Sequence, residues 1–329
     1  MASRRLLAAI GAAAAVLLVP PLVGAATGGQ DNTQLRGLKI LVPNAPGGGY
    51  DVTARTAAKA MEEARLSGSI EVFNLPGAGG TVGLGRTVNS SGNDKLVMSM
   101  GLGLVGSVFT NSSPATLADV TPIARLTQET EVVVVGKDSP LRSLDQLIAA
   151  WKADPCGVPV GGGSSPGGPD HLAPMLMAEA VGITPKDVNY VAYDGGGELL
   201  AAVLGNKVGF GVSGLGEYAE QIAAGELRVL AVTAPERALG VDAPTLREAG
   251  VNVEFTNWRG IVAPPDLDEA GKAELLTGFT ALHDTKEWRD ALARNGWDDA
   301  FLPSDQFGQF LTAENERVAG VLRGLGLAK

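Results

Sequence analysis

Apolar positions along the chain fall into short unbroken runs, separated by stretches with a helical period. Leu38-Lys-Ile-Leu-Val-Pro43 reads as a strand and Val52 to Arg65 as an amphipathic helix. Ile70 to Asn74 is a predicted strand, Thr81 to Asn89 a helix and Leu96 to Met100 a strand. Glu131 to Gly136, with four consecutive valines, is a strand, and Ser143 to Lys152 a helix. Further strands are predicted at Val158 to Gly161, Val188 to Ala192, Val208 to Val212 and Arg228 to Val232, with helices near 170–181, 196–205 and 215–224. The C-terminal third has helical patterns near 268–283, 286–294 and 304–323, and no tandem repeat is evident. Continuous apolar strands alternating with helices predict an α/β protein with parallel sheets covered on both faces.

The start of the chain has a different pattern. Arg4 and Arg5 precede an apolar run from Leu6 to about Val23, and Val23-Gly24-Ala25 offers small residues for a signal peptidase. Residues 1–25 are therefore expected to be a cleaved signal peptide, with a polar linker at 26–35. Gly11 and the Pro20-Pro21 pair interrupt a run already short of the ~20 residues a membrane span needs. The only cysteine is Cys156, so no lipid-accepting cysteine follows the run and no intramolecular disulfide can form. Cys156 is expected to be a packed small residue. The ~300 residues that remain exceed what one core usually holds, which predicts two domains.

The glycines cluster after strands and before helices, in PGGGYD (46–51), PGAGGTVG (76–83), GGGSSPGGPD (161–170) and DGGG (194–197). Each alone reads as a tight turn. Four at one sheet edge predict a ligand cleft, because ligands of open α/β sheets sit at the carboxyl ends of strands. Helix N-termini there present unpaired N–H groups and the positive end of the dipole, which suit an anion. The candidate contacts are Gly47, Gly48, Gly49, Gly79, Gly80 and Gly167, with Asp194 at the fourth loop.

Composition narrows the chemistry. The formal charge is −10, and losing Arg4 and Arg5 with the leader makes the mature chain more acidic still. It lacks the basic footprint of nucleic-acid binding. Gly101-Leu-Gly103-Leu-Val-Gly106 matches a dinucleotide fingerprint, but residues 107–119 hold Pro114 and polar loop residues where a second strand is required. Gly163-Ser-Ser165-Pro-Gly167 matches a nucleophile elbow, yet Pro166 has no N–H to serve as oxyanion donor. Two histidines and no Cys/His cluster exclude a His-rich metal site. No catalytic residue, cofactor or metal is expected.

Side chains beside the loops could complete an oxygen-rich site: Ser164 and Ser165, Thr81, and Tyr50 and Trp258 as walls. His171 follows Pro169-Asp170 at a helix start and belongs either to the capping region or to the pocket. Asp51 reads as an N-cap or as an acceptor from a ligand hydroxyl or a bridging water. Arg55, one turn on, can pair with Asp51 rather than touch ligand.

The stretches VPNAPGGGYDVTAR (42–55), NLPGAGGTVG (74–83), VGGGSSPGGPDHLAP (160–174), VAYDGGGELLAAVLGNKV (191–208), GELRVLAV (225–232), DAPTLREAG (242–250) and NWRGIVAPP (257–265) appear in a fixed order. In this the chain resembles the Bug-like solute-binding proteins of tripartite tricarboxylate transporters, and PGGGYD, SSPGGPDH and NWRG resemble their tricarboxylate-associated branch. The resemblance implies a periplasmic-binding-protein fold of type II, with two α/β domains and a ligand cleft at a two-strand hinge. Strand 131–136 and the segment near 255–262 would cross between domains. Domain 1 would comprise 36–131 plus 256–329, and domain 2 would comprise 132–255. The resemblance also implies that Pro46–Asp51 and Gly163–Gly168 hold the ligand carboxylate, with Asp51 organising waters. The partners would be a small carboxylate, citrate-like tricarboxylates foremost, and a membrane permease with large and small subunits. The protein would be a monomer in the periplasm or at the cell exterior, and not a lipoprotein. A sensor of the same fold feeding a receptor is the alternative, and a secreted hydrolase a remoter one.

Overall fold

The computed structural model describes residues 35–193 and 195–328. The expected signal peptide, most of the linker and Asp194 lie outside the described residues. Six strands in parallel pairings alternate with helices: β1 (Lys39–Val42), α1 (Gly49–Glu63), β2 (Glu71–Asn74), α2 (Thr81–Val88), β3 (Leu96–Gly101) and α3 (Leu102–Thr110), then β5 (Val160–Gly162), α5 (Pro169–Ala180), β6 (Tyr190–Ala192), α6 (Gly196–Leu204), β7 (Phe210–Gly214) and α7 (Leu215–Ala223). Between the two series run β4 (Thr121–Gly136) and α4 (Leu144–Ala153). After them come β8 (Leu227–Val232), β9 (Thr256–Ala263), α8 (Glu269–His283), α9 (Lys286–Asn295), β10 (Asp298–Pro303) and α10 (Ser304–Leu325).

The sheet order is β2-β1-β3-β9-β4-β7-β5-β6, with β8 and β10 also paired to β4. The sheets are mixed rather than parallel throughout, because β4 and β9 run antiparallel to their neighbours. β4 is the connecting strand. Its residues 121–130 pair with β9, while Glu131 to Gly136 pair with β7 and β8. Its valines show why the run is continuous. Val133 and Val135 pack with Trp151 and Phe210, whereas Val132 and Val134 face Leu199 and Tyr218. Both faces are covered, and each buried valine contributes roughly 1.5–3 kcal/mol.

Three elements depart from the sequence reading. β4 begins at Thr121, well before Glu131, through a segment whose Pro122 and polar residues hide its strand character. β10 pairs with that segment across a bulge. α3 occupies the GxGxxG stretch, and close packing explains its glycines: a Cβ on Gly103 would lie 3.1 Å from the Tyr50 hydroxyl, and one on Gly106 would strike the Gly167 carbonyl. Cys156 is exposed, not packed, because it lies in the turn between α4 and β5.

Candidate functional site

Four glycine loops, numbered 1 to 4, follow β1, β2, β5 and β6. Loops 1 and 3 are built alike. In each, Pro-Gly-Gly leads into a helix: Pro46-Gly47-Gly48 before α1 and Pro166-Gly167-Gly168 before α5. Gly47 and Gly167 have φ of 86° and 91°, which disfavours a Cβ, and Gly48 and Gly168 are extended N-caps. The side chain four residues after the first glycine closes each turn. Gly47 N–H donates to Asp51 Oδ2 at 2.9 Å, and Gly167 N–H donates to His171 Nδ1 at 3.1 Å.

Asp51 is saturated by this role. Arg55 Nε donates at 3.0 Å and Asn74 Nδ2 at 2.9 Å to the same buried carboxylate. Burial alone would raise its pKa, but Arg55, the Gly47 N–H and Asn74 outweigh that and hold it at about 2. His171 is buried edge-to-face on Tyr190, and desolvation pulls its pKa down to about 4, so the ring is neutral and free to accept. Loop 3 has further internal bonds: Gly163 N–H to Asp170 Oδ2, Asp170 N–H to Ser164 Oγ, and Tyr190 Oη to the Ser164 carbonyl.

The helix starts beside these anchors share one residue type. α1, α2, α3, α5, α6 and α7, the helices that follow the six parallel-paired strands, all begin on a glycine N-cap with no side-chain cap bond. By contrast, α4, α8 and α9 are capped by Ser143, Asp268 and Thr285. At α1 the first-turn N–H groups are thus available to an acceptor, whereas in α5 the Asp170 N–H is taken by Ser164 Oγ and in α3 the Leu104 N–H by Tyr50 Oη. Gly48 adds a further point: a Cβ there would meet nothing closer than 3.6 Å, so packing does not account for this glycine.

Contacts draw the loops together around α3. Loop 3 touches Gly106, and the Tyr50 hydroxyl accepts from the Leu104 N–H at 3.0 Å. Loop 2 packs on the same helix through Gly79 at Ser107 and Gly80 at Leu104. Loop 4 meets loop 3 where Gly195 faces Gly163. Thr81 bonds the Ala78 carbonyl, and Ser165 is exposed with its carbonyl accepting from Gly168 N–H. Trp258 does not face the loops. Its indole donates to Glu314 at 3.0 Å and packs against Phe307 and Phe310, on the opposite side of β9 from Arg259.

Charged side chains absent from the sequence reading lie at the base of these loops. Arg259 Nη2 pairs with Glu129 at 2.6 Å and would contact a Cβ on Gly49 at 2.6 Å. Arg259 is 6 % exposed and its Nη1 has no partner. Glu131 is 0 % exposed and neither carboxylate oxygen has a partner. It faces Asp170, Glu129, Glu217 and Arg259, and burial followed by those three carboxylates pushes its pKa well above the usual range. Asp170 is also raised, chiefly by burial. Glu217 stands at the mouth with its carboxyl tip on Gly196, and desolvation of that tip, then Asp170 and Glu129, pushes it up to about 7. The available signal was a glutamate heading an otherwise apolar strand.

Residues 53–327 match the model of the tripartite tricarboxylate transporter family receptor. The chain is 31% identical over 329 residues to protein BugT of Bordetella pertussis, covering 98% of each. Among solved structures it is similar to the periplasmic binding protein BugD, with TM-score 0.72 at 21% identity over 89% of this chain and 99% of that one. It is also similar to an R. palustris protein with adipate, with TM-score 0.74 at 24% identity over 89% and 98%. The fold is that of periplasmic binding proteins, which are solute receptors and not enzymes. The chain belongs to the tripartite tricarboxylate transporter receptor family.

Proposed function

We propose that this protein is exported by a cleaved signal peptide, captures a small carboxylate outside the cytoplasm as a monomer, and delivers it to a membrane permease with large and small subunits. The observation that carries this is the set of glycine-capped helix starts at the carboxyl ends of the parallel strands, whose dipoles favour an anion and among which α1 keeps its first-turn N–H groups free of side-chain partners. An acidic chain has no long-range field to attract an anion, so local donors must hold it. The family and the adipate held by a protein of the same fold support the ligand class. In this reading the segments 36–131 plus 256–329 and 132–255 are two domains, β4 and β9 are the strands between them, and the ligand lies between loops 1 and 3. Gly47 to Gly49, Gly79, Gly80, Ser164, Ser165 and Gly167 supply the contacts. The favoured citrate-like tricarboxylate is weighed against by the carboxylates at the base of the loops.

The test is a thermal-shift screen of mature protein against mono-, di- and tricarboxylates, with hits confirmed by calorimetry. A ligand held only by the folded state raises the melting temperature. Uptake of the hit by cells carrying the permease should then require this protein. No shift with any carboxylate would end the reading.

A further inference from the structure

Two buried ionisable groups, an arginine and a glutamate, lack partners within one small region. Arg259 Nη1 needs an acceptor, and Glu131 offers two oxygens to no donor. Leaving buried polar groups unpaired is costly, and more so for charged ones. Their neighbours cannot supply the missing bonds. Glu129 already holds Arg259 through Nη2. Asp170 is engaged by the Gly163 N–H, and Glu217 adds negative charge at the mouth. Among the described residues no group of three or more His, Cys, Asp or Glu is disposed to hold a metal ion. The region lies where loop 1 meets Arg259 at Gly49, and where loop 4 meets Glu217 at Gly196.

We propose that Glu131 and Asp170, with Glu217 above them at the mouth, form a cation subsite, so that the carboxylate this protein captures also carries an ammonium group. This rests on the carboxylate reading above and specifies its ligand. One zwitterion answers both orphans. Its carboxylate accepts from Arg259 Nη1 and the open start of α1, while its ammonium donates to Glu131. A tricarboxylate would meet the first need and could meet Glu131 only while that carboxyl keeps its proton.

Matched pairs that differ only in the amine test this: aspartate with succinate, glutamate with glutarate, and 4-aminobutyrate with butyrate. Calorimetry on mature protein should show the amino member of at least one pair binding ~10–100-fold more tightly, the range expected of a charge-assisted hydrogen bond. Glu131→Gln should remove most of that difference while the deaminated partner binds at least as well as before. Should Glu131→Gln fail to fold, Glu217→Gln at the exposed mouth should narrow the gap in the same direction. Deaminated dicarboxylates or citrate binding as tightly as the amino members would overturn the subsite and leave the carboxylate reading standing. The subsite is likewise overturned if those dianions bind with proton uptake and tighten as pH falls, for then the carboxylates serve as proton acceptors. If no member of any pair and no other carboxylate binds, the carboxylate reading falls and the subsite with it.

Discussion

Asp51 and Glu131 are both buried carboxylates, and their surroundings give them opposite effects on stability. Asp51 has three donors, so its folded pKa lies near 2, below the ordinary 3.8. Its contribution is present above the ordinary value and is lost as pH falls through 2. The shift corresponds to about 2 kcal/mol. Asp51→Ala strips the acceptor from Gly47, Arg55 and Asn74 and should cost ~1–3 kcal/mol in urea unfolding at pH 7. An unchanged midpoint would mean that the turn does not depend on this carboxylate. Glu131 has no donors, so its folded pKa is raised. It keeps its proton in the fold at a pH where the unfolded chain has released it. Its stabilising state is fully present below the ordinary 4.5 and is lost as pH rises. Glu131→Gln should therefore raise the melting temperature of ligand-free protein at pH 8 and leave it unchanged near pH 4. A variant that melts with wild type at both pH values would show that Glu131 carries no such penalty.

At the scale of elements, the parallel-strand helices begin on glycine N-caps, which have no side chain to cap the first turn. Gly48→Ala should keep the melting temperature within a few degrees of wild type, since its φ of −75° suits any residue and its Cβ meets nothing closer than 3.6 Å. Gly48→Val should be tolerated less well, because β-branching stiffens the turn. Both should weaken ligand binding in calorimetry, whereas Ser165→Ala, removing one exposed hydroxyl, should have the milder effect. Gly167→Ala should lower stability by roughly 1–2 kcal/mol, through its positive φ and a Thr110 methyl 3.1 Å away. Elements of this kind were legible in the sequence. The apolar run of β1, the valines of β4 and the glycines before α1 and α5 mark their places by composition alone. α3 was not, because three glycines disguised a helix that close packing holds. Nor was the first half of β4, whose partners β9 and β10 lie far along the chain. The charged base was illegible for the same reason. Glu129, Glu131, Asp170, Glu217 and Arg259 come from four separate elements, and only the topology brings them together.

At the scale of the whole molecule, β4 and β9 join the two series of strands, and the Gly106–Gly167 contact joins their loops. A Cβ on Gly106 would strike the Gly167 carbonyl, so Gly106→Ala must push α3 and loop 3 apart. Small-angle scattering should show wild-type protein contracting with saturating ligand, and Gly106→Ala contracting less at equal occupancy. Identical radii with and without ligand, binding being confirmed, would rule out closure about these strands.

The two Pro-Gly-Gly turns share a shape but not a latch. One is closed by a carboxylate and the other by a neutral imidazole. Acid undoes them in sequence. The unfolded chain takes up a histidine proton from pH 6.5 downward, while the folded ring resists until about 4, so the His171 latch weakens across that interval. The Asp51 latch persists until pH approaches 2. A gradual acid titration should thus loosen one turn while the other still holds, and amide exchange at Gly167 should quicken, relative to its intrinsic rate, before that at Gly47.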